Sequence, residues 1–164
     1  MNQYQLEDQL LYADQLIKEN KNAEAIDVLE AIIAEAPDFG KAYNHLGFIF
    51  ETKYQDYNKA EEHYKLALKF APEYTAVYYN YAIVLSTLKK WDELEALLRQ
   101  AETIPTINRG TITNEYAIMY EMRGMYDQAI SKYKEYIGYV FDNKQIDNAM
   151  ASIERCQRKK EMLK

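Results

Sequence analysis

Residues 60–74 read AEEHYKLALKFAPEY. Ala60, Tyr64 and Ala67 follow one another at i, i+4 and i+7, the spacing of one face of an α-helix. Pro72 then closes the stretch. Alanine on a helix face lets a neighbouring backbone come close, and a large side chain one turn away fills the next gap. Proline cannot continue a helix and redirects the chain. The stretch predicts a helix pressed against another helix and then a turn.

The same series recurs. Residues 23–37, AEAIDVLEAIIAEAP, supply Ala25, Leu29, Ile32 and Pro37. Residues 91–105, WDELEALLRQAETIP, supply Leu94, Leu98, Ala101 and Pro105. Residues 126–140, YDQAISKYKEYIGYV, supply Ala129, Tyr133 and Tyr136 without the proline. The first landmark falls at 25, 60, 94 and 129, a period of 34 to 35. An upstream series of small residues, Ala13, Gly47, Ala82 and Ala117, keeps the same period, each preceded by a large side chain. Each unit is therefore two amphipathic helices joined by a polar turn. The turns are expected near residues 19–23, 53–58, 88–92 and 123–127.

This pattern resembles the tetratricopeptide repeat, a helix–turn–helix unit of about 34 residues. The resemblance covers residues 6–143 and implies an all-α, right-handed α-α superhelix. We divide residues 1–164, taken as one domain, into four repeats at about 6–39, 40–74, 75–109 and 110–143. A capping helix follows at about 144–163, with an expected apolar stripe of Ile146, Met150, Ile153 and Met162 or Leu163 to cover the last repeat. Three departures stand out: an extra residue in the second turn, Leu94 in a small slot, and Tyr136 in another small slot with no closing proline. The last departure predicts that the fourth unit faces something other than a standard repeat.

Composition fits long helices and short turns, with 3 prolines and 5 glycines in 164 residues. Most of the 16 tyrosines fall at recurrent large positions, including Tyr12, Tyr43, Tyr57, Tyr64 and Tyr120. Tyrosine suits a thin wall, because its ring is buried while its hydroxyl reaches a polar edge.

Catalytic groups are scarce. The two histidines, His45 and His63, lack the spacing of a helical zinc site, and His63 is expected on a solvated face. Cys156 is a lone thiol on the last helix. No phosphate loop or nucleophile elbow appears, so neither an enzyme nor a cofactor or metal is expected. The net charge of −6 argues against nucleic acid and anionic membrane. Pentatricopeptide repeats, which bind RNA, have a similar length. However, residues 1–74 carry 14 acids and 7 bases, the wrong sign for RNA. The short basic run RCQRKK is read as a solvated helix end. The N-terminal residues do not form a signal peptide, and a cytoplasmic location is expected.

The resemblance implies that the first helix of each unit lines a concave groove that binds a peptide or helix of a partner protein. The expected groove residues are Asn44, His45, Phe48 and Glu51 from the second unit. The third contributes Tyr79, Asn80, Ile83 and Ser86, and the fourth Asn114, Glu115, Ile118 and Glu121. Leu10, Leu11, Asp14 and Ile17 are their counterparts in the first. Phe48, Ile83 and Ile118 should supply apolar contacts, while Asn44, Asn80 and Asn114 offer donors and acceptors for a peptide backbone. The alternative is that the apolar residues only pack neighbouring helices. The cationic clamp by which chaperone-binding members hold a C-terminal carboxylate is absent. Its matching slots are Leu10, Asp14, His45, Ala76 and Asn80, or one unit on Asn44, Phe48, Asn80, Thr111 and Glu115. None of them is a lysine or arginine, and Asp14 or Glu115 would repel the carboxylate. A self-assembling structural subunit, a homo-oligomer, is the second expectation.

Overall fold

The computed structural model describes residues 1–163, which form nine helices and no strand among them. These are α1 (Gln3–Lys18), α2 (Asn22–Glu35), α3 (Gly40–Thr52), α4 (Tyr57–Phe70), α5 (Thr75–Thr87), α6 (Trp91–Glu102), α7 (Arg109–Met122), α8 (Tyr126–Ile137) and α9 (Asn143–Met162). The turns within the helix pairs, at residues 19–21, 53–56, 88–90 and 123–125, lie inside the expected windows. No described helix is long and apolar enough to cross a membrane.

The repeat is visible in the backbone of these turns. Asn20, Gln55, Lys89 and Gly124 have φ of 58°, 53°, 56° and 74°. One residue per hairpin therefore enters the left-handed region that reverses a chain after a helix. Only the fourth unit places glycine there, where that conformation costs nothing. Side-chain caps begin several helices. Asp56 accepts from the Lys59 amide, Asn108 from Thr111 and Asp142 from Gln145. Such a cap satisfies one of the amides that a helix start leaves unpaired.

Contacts divide the chain into two compact units, residues 1–88 and 89–164. The first unit holds α1 to α5. Leu6, Leu10, Leu16, Ile17, Leu29, Ile32, Leu46 and Ile49 pack in its core. Ala60, Tyr64 and Ala67 are fully buried, and Gly47 explains why. A Cβ at Gly47 would stand 2.6 Å from Cε1 of Tyr64 and 2.7 Å from Cδ1. The ring therefore lies on the α3 backbone, where the absent side chain admits it. The prolines serve a second purpose in this unit. Tyr43 donates its hydroxyl to the Pro37 carbonyl (3.0 Å), and Tyr78 donates to that of Pro72 (2.7 Å).

The second unit holds α6 to α9. Ala117, Ala129, Tyr133 and Cys156 form a buried cluster where α7, α8 and α9 meet. The buried face of α9 is Ala149 and Cys156, with Ile153 packed beside them. The expected stripe is therefore displaced, since Met150, Met162 and Leu163 are exposed. Small side chains bring α9 close to α8, and the long methionines cannot fit there.

Two tyrosine slots differ from expectation in instructive ways. Tyr12 is exposed, whereas its counterpart Tyr81 is buried and lies against the Tyr64 ring of α4. Tyr136 is half-buried and borders an open groove rather than a further repeat.

Candidate functional site

In the first unit the expected residues separate into packed and accessible ones. Asn44 is buried, and its Oδ1 accepts from Asn80 Nδ2 at 3.3 Å, which ties α3 to α5. His45 is half-buried, with Nδ1 2.9 Å from the Lys41 carbonyl. That contact makes Nδ1 the donor and leaves Nε2 as an acceptor. Burial lowers the pKa of His45 and so favours the neutral ring. Phe48 is half-buried against the core, and Tyr79 is half-buried. Ile83, 48% exposed, presents its side chain to solvent.

Other expected groove residues turn inward. Leu10 and Ile17 belong to the core, whereas Leu11 is exposed. Glu51 is buried and accepts from the Tyr64 hydroxyl at 2.6 Å. Desolvation raises its pKa, and the tyrosine bond opposes that only in part. His63 is not on a solvated face. Its ring stacks on Phe50 with centroids 5.3 Å apart, and burial lowers its pKa.

In the second unit Asn114 and Ile118 line a groove of about 430 Å³ between α7 and α9. Tyr133 and Tyr136 of α8 form its floor, and Gln145, Asn148, Ser152 and Arg155 of α9 form the facing wall. Ile118 also packs against the cluster beneath. Glu115 is half-buried, and desolvation pushes its carboxyl up to about 7.

Glu121 is the electrostatic centre of this unit. It is buried rather than groove-facing, and Arg155 binds both of its oxygens, at 2.6 and 2.7 Å. Tyr133 adds a bond of 2.9 Å and Lys159 one of 3.1 Å. The Arg155 contacts, followed by the tyrosine and lysine bonds, outweigh burial and hold the Glu121 carboxyl down at about 2. Lys160 pairs with Asp127 nearby. The basic run is thus not merely a solvated helix end, since three of its cations clamp α9 onto α7 and α8. Cys156 lies beneath, fully buried, with its thiol pushed up to about 11 by desolvation. That shift makes it a poor nucleophile.

No family model matches the chain, and no curated protein matches it significantly. Solved structures do match. YrrB, described as a TPR protein with an unusual peptide-binding site, is 20% identical over 93% of this chain and 76% of its own, with a TM-score of 0.75. PilF of Pseudomonas aeruginosa is 16% identical over 96% and 69%, with a TM-score of 0.81. Yeast Tom70 is 19% identical over 95% of this chain but 34% of its own, with a TM-score of 0.79. The fold is that of the tetratricopeptide repeat.

Within the tetratricopeptide repeat register, Glu51 and Glu121 occupy one slot, and Tyr64 and Tyr133 another. The second and fourth repeats thus share a buried Tyr–Glu pair that the sequence reading missed. Its signal was the recurrence of Glu followed by Tyr 13 and 12 residues later. Gln145, Asn148 and Arg155 were also missed, because α9 was read as a cover rather than as a groove wall.

Proposed function

We propose that the chain is a protein-binding module that takes a peptide or helix of a partner on its first-helix faces. The contact residues would be His45, Phe48, Tyr79, Asn80 and Ile83 in one unit and Asn114, Glu115 and Ile118 in the other, while the buried Asn44 holds the Asn80 amide in place. One observation carries the reading. The first-helix face of the second unit is an open groove with amide side chains on both walls, at Asn114, Gln145 and Asn148. None of these three side chains makes a hydrogen bond within the described residues, so their donors and acceptors remain for a ligand backbone. The peptide-binding description of YrrB, a fold neighbour, points the same way.

Capture from native lysate tests the reading. The wild-type chain should retain a defined set of proteins, and the triple variant Asn80→Ala, Ile83→Ser, Asn114→Ala should lose them while keeping a helical circular dichroism spectrum. Full retention by the folded variant would refute it. Self-association has an observation of its own, because Tyr4, Leu11 and Tyr12 are exposed on α1. A concentration-dependent solution mass abolished by Leu11→Ser with Tyr12→Ser would favour that second reading.

A further inference from the structure

The groove between α7 and α9 does not end at Tyr136 and Gln145. These two residues also border a second cavity of about 350 Å³, ringed by Thr111, Tyr139, Phe141 and Asp142. The groove is therefore continuous along α9 from Asp142 to Arg155. Thirteen residues of helix span about 20 Å. An extended peptide covers that distance in about six residues.

The two ends differ in chemistry. At one end Phe141 is 96% exposed and Tyr139 is exposed beside it, on the loop that replaces the closing proline. The charged group there is Asp142, whose side chain caps α9. At the other end one carboxylate, Glu121, is shared by two cations, Arg155 and Lys159, which leaves a local charge of one positive unit. Glu121 takes Nε and one Nη2 proton of Arg155, and the Ser152 hydroxyl takes Nη2 as well. The two protons of Nη1 and two of the three on Lys159 stay uncommitted. Both cationic side chains are about half exposed. In an otherwise acidic chain, this end is suited to a negative group, whereas Asp142 would repel one at the far end.

Resting on the protein-binding reading, we propose that this groove binds an extended segment of a partner protein with polarised chemistry. An apolar side chain covers Phe141, a carboxylate about six residues away meets Arg155 and Lys159, and the backbone between them bonds to Asn114, Gln145 and Asn148. The carboxylate site differs in place from the clamp excluded above, because its cations come from α9.

A random dodecapeptide library displayed on phage, selected on the immobilised full chain, tests this. Enriched peptides should pair an Asp or Glu with an apolar residue about six positions away. A synthetic copy of the best one, labelled with fluorescein, should bind with an anisotropy change. Lys159→Gln and Phe141→Ser should each weaken it about tenfold, the scale of an interface anchor. Both residues are exposed or half exposed, and Arg155 still pairs Glu121 in the first variant, so both variants fold. Added salt should weaken the wild type more than Lys159→Gln. Selected peptides without acids, or affinities unchanged in both variants, overturn the proposal. If binding then falls with Asn80→Ala or Ile83→Ser instead, the protein-binding reading survives this failure. A library that yields no binder overturns both.

Discussion

Gly47→Ala reverses an ordinary expectation. Alanine is the better helix former, by about 1 kcal/mol in a helix interior. Gly47 lies within α3, so propensity alone predicts stabilisation. The packing predicts the opposite. The added Cβ would meet three atoms of the Tyr64 ring at 2.6 to 3.0 Å, about 1 Å inside ordinary carbon contact. The ring cannot swing aside easily, since it is fully buried and its hydroxyl is held by Glu51 at 2.6 Å. Overpacking of this kind costs about 1–3 kcal/mol. Contacts this short belong to the upper part of that range, so with propensity offsetting about 1 kcal/mol the net loss should be about 1–2 kcal/mol. Urea unfolding followed by far-ultraviolet circular dichroism measures it. A second variant, Tyr64→Leu, removes the clash, so the alanine should cost much less in that background. A Gly47→Ala chain as stable as the wild type, or more so, would refute the close approach and the register built on it.

Other outcomes follow from the turns and the buried carboxylates. Gly124→Ala should destabilise by about 1 kcal/mol through φ alone, since nothing lies within 4 Å of its Cβ position, whereas Lys89→Gly should be neutral or stabilising. Glu121, held down at about 2, supplies stability that is complete above the ordinary carboxylate range and is lost as pH falls toward 2. Urea midpoints of the wild type should therefore drop between pH 5 and pH 2.5, and Glu121→Gln should flatten that profile while lowering stability at pH 7. Glu51 has the opposite sign, because its raised pKa makes the charged form a liability at neutral pH. Glu51→Gln should thus be neutral or stabilising at pH 7, and a loss equal to that of Glu121→Gln would contradict the contrast.

The helices were legible because their signals are local. The small slots, the apolar period and the prolines act within one turn or one hairpin, and Gly47 against Tyr64 is that rule in atomic form. The groove was less legible, because facing inward and being buried are not separable from helical spacing. Glu51, Glu121 and Leu10 share a side with the expected groove residues, yet each finds a partner or a core. Ile83 shows the reverse, an aliphatic side chain left exposed. His63 was misread because a stacking partner, Phe50, lies on another helix. The contribution of α9 depended on three-dimensional proximity across 34 to 38 residues, as in the bonds from Arg155 and Lys159 to Glu121.

The side-chain amide resonances of the ¹⁵N-labelled chain report most directly on whether the groove binds a protein segment. On titration with the selected peptide, the NH₂ signals of Asn114, Gln145 and Asn148 should shift and saturate together, while those of the exposed Gln100 and Gln157 stay in place. Saturable binding that leaves all three groove amides unmoved would contradict the account.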